Sequence, residues 1–255
     1  VLAVPLFAGC ATAPSPPAEA DPGAFLRRRA EQSFAEAVLL KPRAAVPEEV
    51  SAVRLAPLLM LETGSSNPAP DAAAVPAVFF TEGAVLLNGR VHAQMSYAWR
   101  GAPRPPAPDH PLPWQGIRIT LNTAGDPVIW EVLQDSSGAA LLFVARSLEV
   151  AALGEHGPAL PGRRHAVERA VHEAPGVVVV RVIEDGPVPM GPIVHLDSAH
   201  GDVTSVICRC MAPQVRHLSG QGEYELLPSG TDPEIPAHEP EGERLGLILR
   251  LPSSF

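Results

Sequence analysis

The sequence predicts an α+β protein: mainly antiparallel β-sheet in hairpins and a meander, with an N-terminal helix and a short mid-chain helix. Three observations carry this expectation. The apolar period is helical around residues 26–38 and becomes two from residue 84 onward. Turn signals such as Asn88-Gly89 fall between apolar runs. Successive strand-like runs also follow one another too closely to hold crossover helices, which favours antiparallel neighbours.

Taken in order, Asp21-Pro22 has the form of an N-cap followed by a first helical residue. Leu26, Ala30, Phe34, Ala37 and Val38 then recur at helical spacing, and Lys41-Pro42 ends the run. A second helix is expected from Pro47 to about Leu61, and a loop over residues 62–76. A hairpin about Asn88-Gly89 follows, because both turn positions of a tight two-residue loop favour positive φ. After a proline-rich loop at 101–114 comes a meander of residues 116–122, 127–133 and 140–145, and then a short helix from Ser147 to Gly154. Residues 177–183 form a strand buried on both faces. Residues 193–197 and 202–210 form a hairpin, and residues 245–251 a last strand. The expected organisation is an apolar start at 1–9, a segment from Cys10 to Gly23 rich in Ala and Pro, and one α+β domain over 24–255.

Composition excludes some functions. The 255 residues carry a formal charge of −9, which supplies no basic face for nucleic acid and no polybasic patch for anionic lipid. Thirty prolines, many clustered, point to long ordered loops between short strands. Two Tyr and three Trp leave little aromatic surface for sugar-binding platforms.

The chain opens on VLAVPLFAGC, with no charge before Cys10 and Val rather than Met at its start, so a basic leader is expected to precede it. The apolar run is too short to span a bilayer, which takes about 20 residues. Residues 11–23, ATAPSPPAEADPG, have almost nothing to bury and are expected to form an extended, protease-sensitive tether. Leu6-Phe7-Ala8-Gly9-Cys10 resembles the lipobox of bacterial lipoproteins, with Phe7 where Leu is usual. The resemblance implies cleavage before Cys10, acylation of its thiol, and attachment to the bacterial cell envelope through the lipid, facing the periplasm or exterior. It covers about the first 20 residues only.

Cys208 and Cys210, in SVICRCMAPQ, are the candidates for chemistry. An extracytoplasmic location would let disulfides persist. On a strand, positions i and i+2 lie about 6.5 to 7 Å apart by Cα, at the limit of disulfide geometry. The pair therefore has three possible fates: buried thiols, a strained and hence redox-active disulfide, or soft-metal ligands with Met211 and a nearby His. An odd loop about His200 would set Val194 and Leu196 on one face with Val206, Cys208 and Cys210, and turn His195 and Asp197 away. A two-residue turn at His200-Gly201 would instead gather His195 and Asp197 with the cysteines as a metal or redox site. The first register keeps apolar residues together, and it is the one expected.

Glu131, in VIWEV, alternates with Val128, Trp130 and Val132. Between Ile129 and Leu133 it could serve as a general acid, though the wet face of the sheet is the expected place for it. No Walker loop, GxGxxG, GxSxG or HExxH occurs, and no cofactor is predicted. The expectation is a lipid-tethered extracytoplasmic lipoprotein that acts as a non-catalytic binding or envelope assembly module, with a protein partner in the envelope. The alternative is a redox or metal-dependent protein built on Cys208 and Cys210.

Overall fold

The structure is a computed structural model that describes residues 23–43, 51–63, 77–100, 114–134, 138–198, 201–231 and 242–255. The apolar start, Cys10, the tether as far as Pro22, the loop over 64–76, the proline-rich segment 101–113 and His200 lie outside the described residues.

Among the described residues the architecture is α+β: one barrel-like sheet of eleven strands, mostly antiparallel, with four helices. In chain order the elements are α1 (Ala24–Glu31), β1 (Phe34–Pro42), α2 (Ser51–Arg54), β2 (Leu58–Glu62), β3 (Ala77–Leu87), β4 (Arg90–Arg100), β5 (Trp114–Leu121), β6 (Pro127–Val132), β7 (Ala140–Ala145), α3 (Arg146–His156), β8 (Val177–Ile183), β9 (Ile193–Leu196), β10 (Val203–Ile207), β11 (Val215–Pro228) and α4 (Gly242–Ile248). The strand order is β10-β9-β2-β1-β11-β3-β4-β5-β6-β7-β8.

The β3–β4 hairpin turns on Asn88 (φ 48°) and Gly89 (φ 75°), as the Asn-Gly signal predicts. The meander β5–β6–β7 and helix α3 also fall where they are expected. Four pairings are parallel, however: β1–β11, β11–β3, β2–β9 and β7–β8. The β7–β8 connection carries α3 and the segment that follows it, which is long enough for a crossover.

Three elements differ from the sequence expectation. The first helix stops at Glu31, and Phe34–Pro42 is a strand. A register shift between Ala37 and Val38 breaks its period of two, so its apolar residues mimic helical spacing. The second helix is a single turn, and residues 58–62 form β2. At the C-terminus, Gly242–Ile248 is helical where a strand is expected, with Leu245 and Leu249 buried and Leu247 exposed. Strand β11, the longest, carries no apolar alternation and lies in the middle of the sheet. Its Gly222 lies where a Cβ would come 2.8 Å from Leu40 Cδ2, so the bare backbone leaves room for β1 side chains.

The inner face carries the ladder Met95–Ile119–Trp130–Phe143 across four strands. Gln115 reaches across from this face to Asp202, beside β10, at 2.7 Å. The outer face carries Ser96–Arg118–Glu131–Leu142. Glu131 therefore does face away from Trp130, but that side is not wet: the residue is 4% exposed. Arg118 donates to it at 3.1 Å, and Arg244 of α4 approaches to 3.4 Å.

Helix α1 lies between the two edge strands, β8 and β10. Arg27 donates to the Val179 carbonyl on the β8 edge (3.0 Å) and to Glu168 (3.2 Å). Two residues on, Arg29 pairs with Asp197 and lies 3.7 Å from Asp202, at the two ends of the β9–β10 turn. Glu168, 1% exposed, also accepts from the backbone N–H groups of Arg164 and His165. Arg27→Met removes one of the two arginines beside the buried Glu168 carboxylate, leaving Arg163 at 3.6 Å, and should cost about 2 kcal/mol in urea unfolding. Adding Glu168→Gln should recover part of that loss, and a loss under about 1 kcal/mol for the single variant would refute a structural role for the pair.

Candidate functional site

The site is built from the short segment that holds Arg209 in place. Helix α2 is one turn long, so its carbonyls need outside partners. Tyr97 donates to the Ala52 carbonyl (2.7 Å), Tyr224 to that of Pro57 (2.7 Å), and the Gly191 N–H to that of Arg54 (3.0 Å). Arg209 donates to the Ala56 carbonyl. Burial raises both tyrosine pKa values, so the two hydroxyls stay protonated and keep their role as donors. Gly191 is required at its position, since a Cβ there would come within 2.2 Å of the Leu55 and Ala56 carbonyl oxygens.

Strand β10 ends at Ile207, and the chain turns at once, with Met211 N–H donating to the Cys208 carbonyl at 3.1 Å. The turn draws the Cα atoms of Cys208 and Cys210 to 5.2 Å, inside the usual disulfide range, and the two sulfurs are bonded. Extended geometry, assumed in reading the pair as buried thiols, does not reach this far along the chain. Cys208 is 8% exposed and joins the main apolar cluster with Val194, Leu196 and Val206, as the expected register requires. Cys210 is exposed and does not share that environment. Val194 does pair with Val206, through a register shift between Val203 and Ser205 rather than through loop length alone.

A cleft of about 260 Å³ opens beside the disulfide. Cys208 and Arg209 form one wall, and Gly186, Val188, Pro189 and Met190 of the β8–β9 connection another. Trp130, Ser147, Asp126 and Asp185 are among the other residues that line it. Asp185 accepts from both the N–H (3.0 Å) and the hydroxyl (2.7 Å) of Ser147, satisfying the start of α3. Beside them Arg146 donates to Glu184 and holds its carboxyl below the usual range. Asn122 Oδ1 accepts from Ala124 and Asp126, shaping the β5–β6 turn on the rim.

The other candidate residues are not brought to this cleft. His195 pairs with Ser205 on the opposite face of the β9–β10 hairpin, 5.2 Å from the Phe34 ring. It is fully buried, and neither ring nitrogen has a hydrogen-bond partner among the described residues. Desolvation, with a smaller contribution from Arg181, lowers its pKa to about 4. Asp197 is held by Arg29. Glu131 lies on the outer face, between two arginines. Among the described residues no group of three or more His, Cys, Asp or Glu side chains is placed to hold a metal ion. The cleft itself, formed by the β5–β6 and β8–β9 connections, has no sequence signature beyond the Cys208–Cys210 spacing.

No family model matches the chain, and comparisons with curated proteins and with solved structures return no match.

His195 yields a pH prediction with a definite sign. Its folded pKa lies below the unfolded value near 6.5, so between the two the unfolded chain binds a proton that the folded chain excludes. Stability should therefore fall as pH drops from about 6.5 toward 4, by up to about 3 kcal/mol from this group. Urea unfolding at pH 7 and pH 4.5 measures the loss, and His195→Leu should shrink it markedly; an equal loss in the variant would refute the assignment.

Proposed function

We propose that the chain is a lipid-tethered extracytoplasmic lipoprotein of the bacterial cell envelope, and that its β-domain is a binding or assembly module. The Cys208–Cys210 disulfide carries this reading, because such bonds persist in oxidising compartments and are rare where thiols are kept reduced. With that pair joined, Cys10 is the one remaining cysteine, and it follows Ala8-Gly9 in the lipobox-like stretch. The acidic charge leaves attachment to the lipid rather than to basic side chains. The cleft offers an apolar wall of Val188, Pro189 and Met190 facing polar groups at Ser147 and Asp185, a combination suited to a small ligand or a chain segment of a partner.

The test is Cys10→Ser, expressed in a bacterium with a complete leader. The parent should sediment with membranes and carry acyl mass on Cys10, and the variant should move to the soluble fraction. A variant that still sediments with membranes removes the tether from the reading.

A further inference from the structure

We infer that Cys208 and Cys210 form a thiol–disulfide exchange site, with an external dithiol as the reacting partner. The bond joins residues two apart and ties no two elements of the fold together. It closes a very short loop, which constrains the unfolded chain little, so stapling the structure does not explain its position. Its two sulfurs are also unequal. Cys210 is exposed at the surface, while Cys208 is buried and lines the cleft. The Cys210 backbone N–H donates to Cys208 Sγ at 3.1 Å. A donor fixed on one sulfur favours that sulfur as the leaving thiolate, as in other charge-assisted hydrogen bonds. Arg209 between them is anchored at the Ala56 carbonyl, which holds the turn in place while the bond opens and closes.

The exchange follows from this asymmetry. A thiolate of the dithiol attacks Cys210 Sγ, and the Cys208–Cys210 bond breaks. The electron pair leaves on Cys208 Sγ, which accepts the Cys210 N–H and takes a proton from solvent. The dithiol's second thiolate then attacks its own sulfur in the mixed disulfide, releasing Cys210 as a thiolate. The dithiol leaves as a disulfide, oxidised by two electrons, and the protein is left as the reduced Cys208/Cys210 pair. Run in reverse, the reduced pair reduces a disulfide presented to the exposed Cys210 thiolate.

The experiment uses the full chain, with dithiothreitol as the dithiol and insulin as the disulfide substrate. The wild type should accelerate insulin reduction at least about tenfold over dithiothreitol alone, and Cys208→Ser and Cys210→Ser should return to background. Separately, 2-hydroxyethyl disulfide should modify Cys210 in Cys208→Ser at least about tenfold faster than Cys208 in Cys210→Ser, with sites mapped by mass spectrometry so that Cys10 is scored apart. Wild-type activity at background overturns the inference, as does equal or faster modification of Cys208. The inference does not rest on the lipid tether, so its outcome is independent of the fate of Cys10→Ser.

Discussion

Glu168 and Arg27 hold the barrel-like sheet at its open seam. The Glu168 carboxylate receives Arg27 and the backbone N–H groups of Arg164, His165 and, more distantly, Val179 (3.4 Å). Arg27 in turn takes the Val179 carbonyl, so the exposed edge of β8 is answered by side chains instead of another strand. Arg29, two residues later on the helix, points to the other side and holds the β9–β10 hairpin through Asp197. One short helix thereby spans the gap between the two edges, at the cost of burying charge that only mutual pairing makes tolerable.

The same logic governs the cleft. The disulfide turn at the end of β10 is tied through Arg209 to the Ala56 carbonyl, two residues past the end of the one-turn helix α2. Tyr97 and Tyr224 fix the rest of the α2 segment from β4 and β11. The geometry of the cysteine pair thus depends on residues far from it in sequence.

This dependence explains what could be read from the chain alone. The α+β class, the Asn88-Gly89 hairpin, the meander and the face shared by Val194, Val206 and Cys208 were legible, since each rests on local alternation or turn chemistry. Strand β1 was not, because a register shift at Ala37/Val38 gave its apolar residues a helix-like spacing. Strand β11 was not, because its side chains are mostly exposed or half-buried and its glycines serve its neighbours. The Leu245–Leu251 run alternates like a strand, yet Leu245 of α4 and Leu249 just past its end are buried at a spacing of four while Leu247 between them is exposed. The cysteines' disulfide was left open among three fates because the turn after Ile207 is invisible to a strand-period argument. Glu131 was read to the right side of β6, but α4, which supplies Arg244 above it, was unforeseen.

Strand β11 also sets the order in which the protein can be completed during synthesis. It is parallel to both neighbours and, among the described residues, is the strand that pairs the β10-β9-β2-β1 group with the β3-to-β8 group. Its residues, 215–228, emerge from the ribosome after every other described strand. Until then β1 and β3 each present an edge that β11 covers in the finished sheet. Assembly is therefore governed by contacts of long sequence separation, which form slowly and leave those edges open to wrong pairings. A chain truncated before residue 215 would hold ten of the eleven described strands and still lack the one that pairs with both β1 and β3.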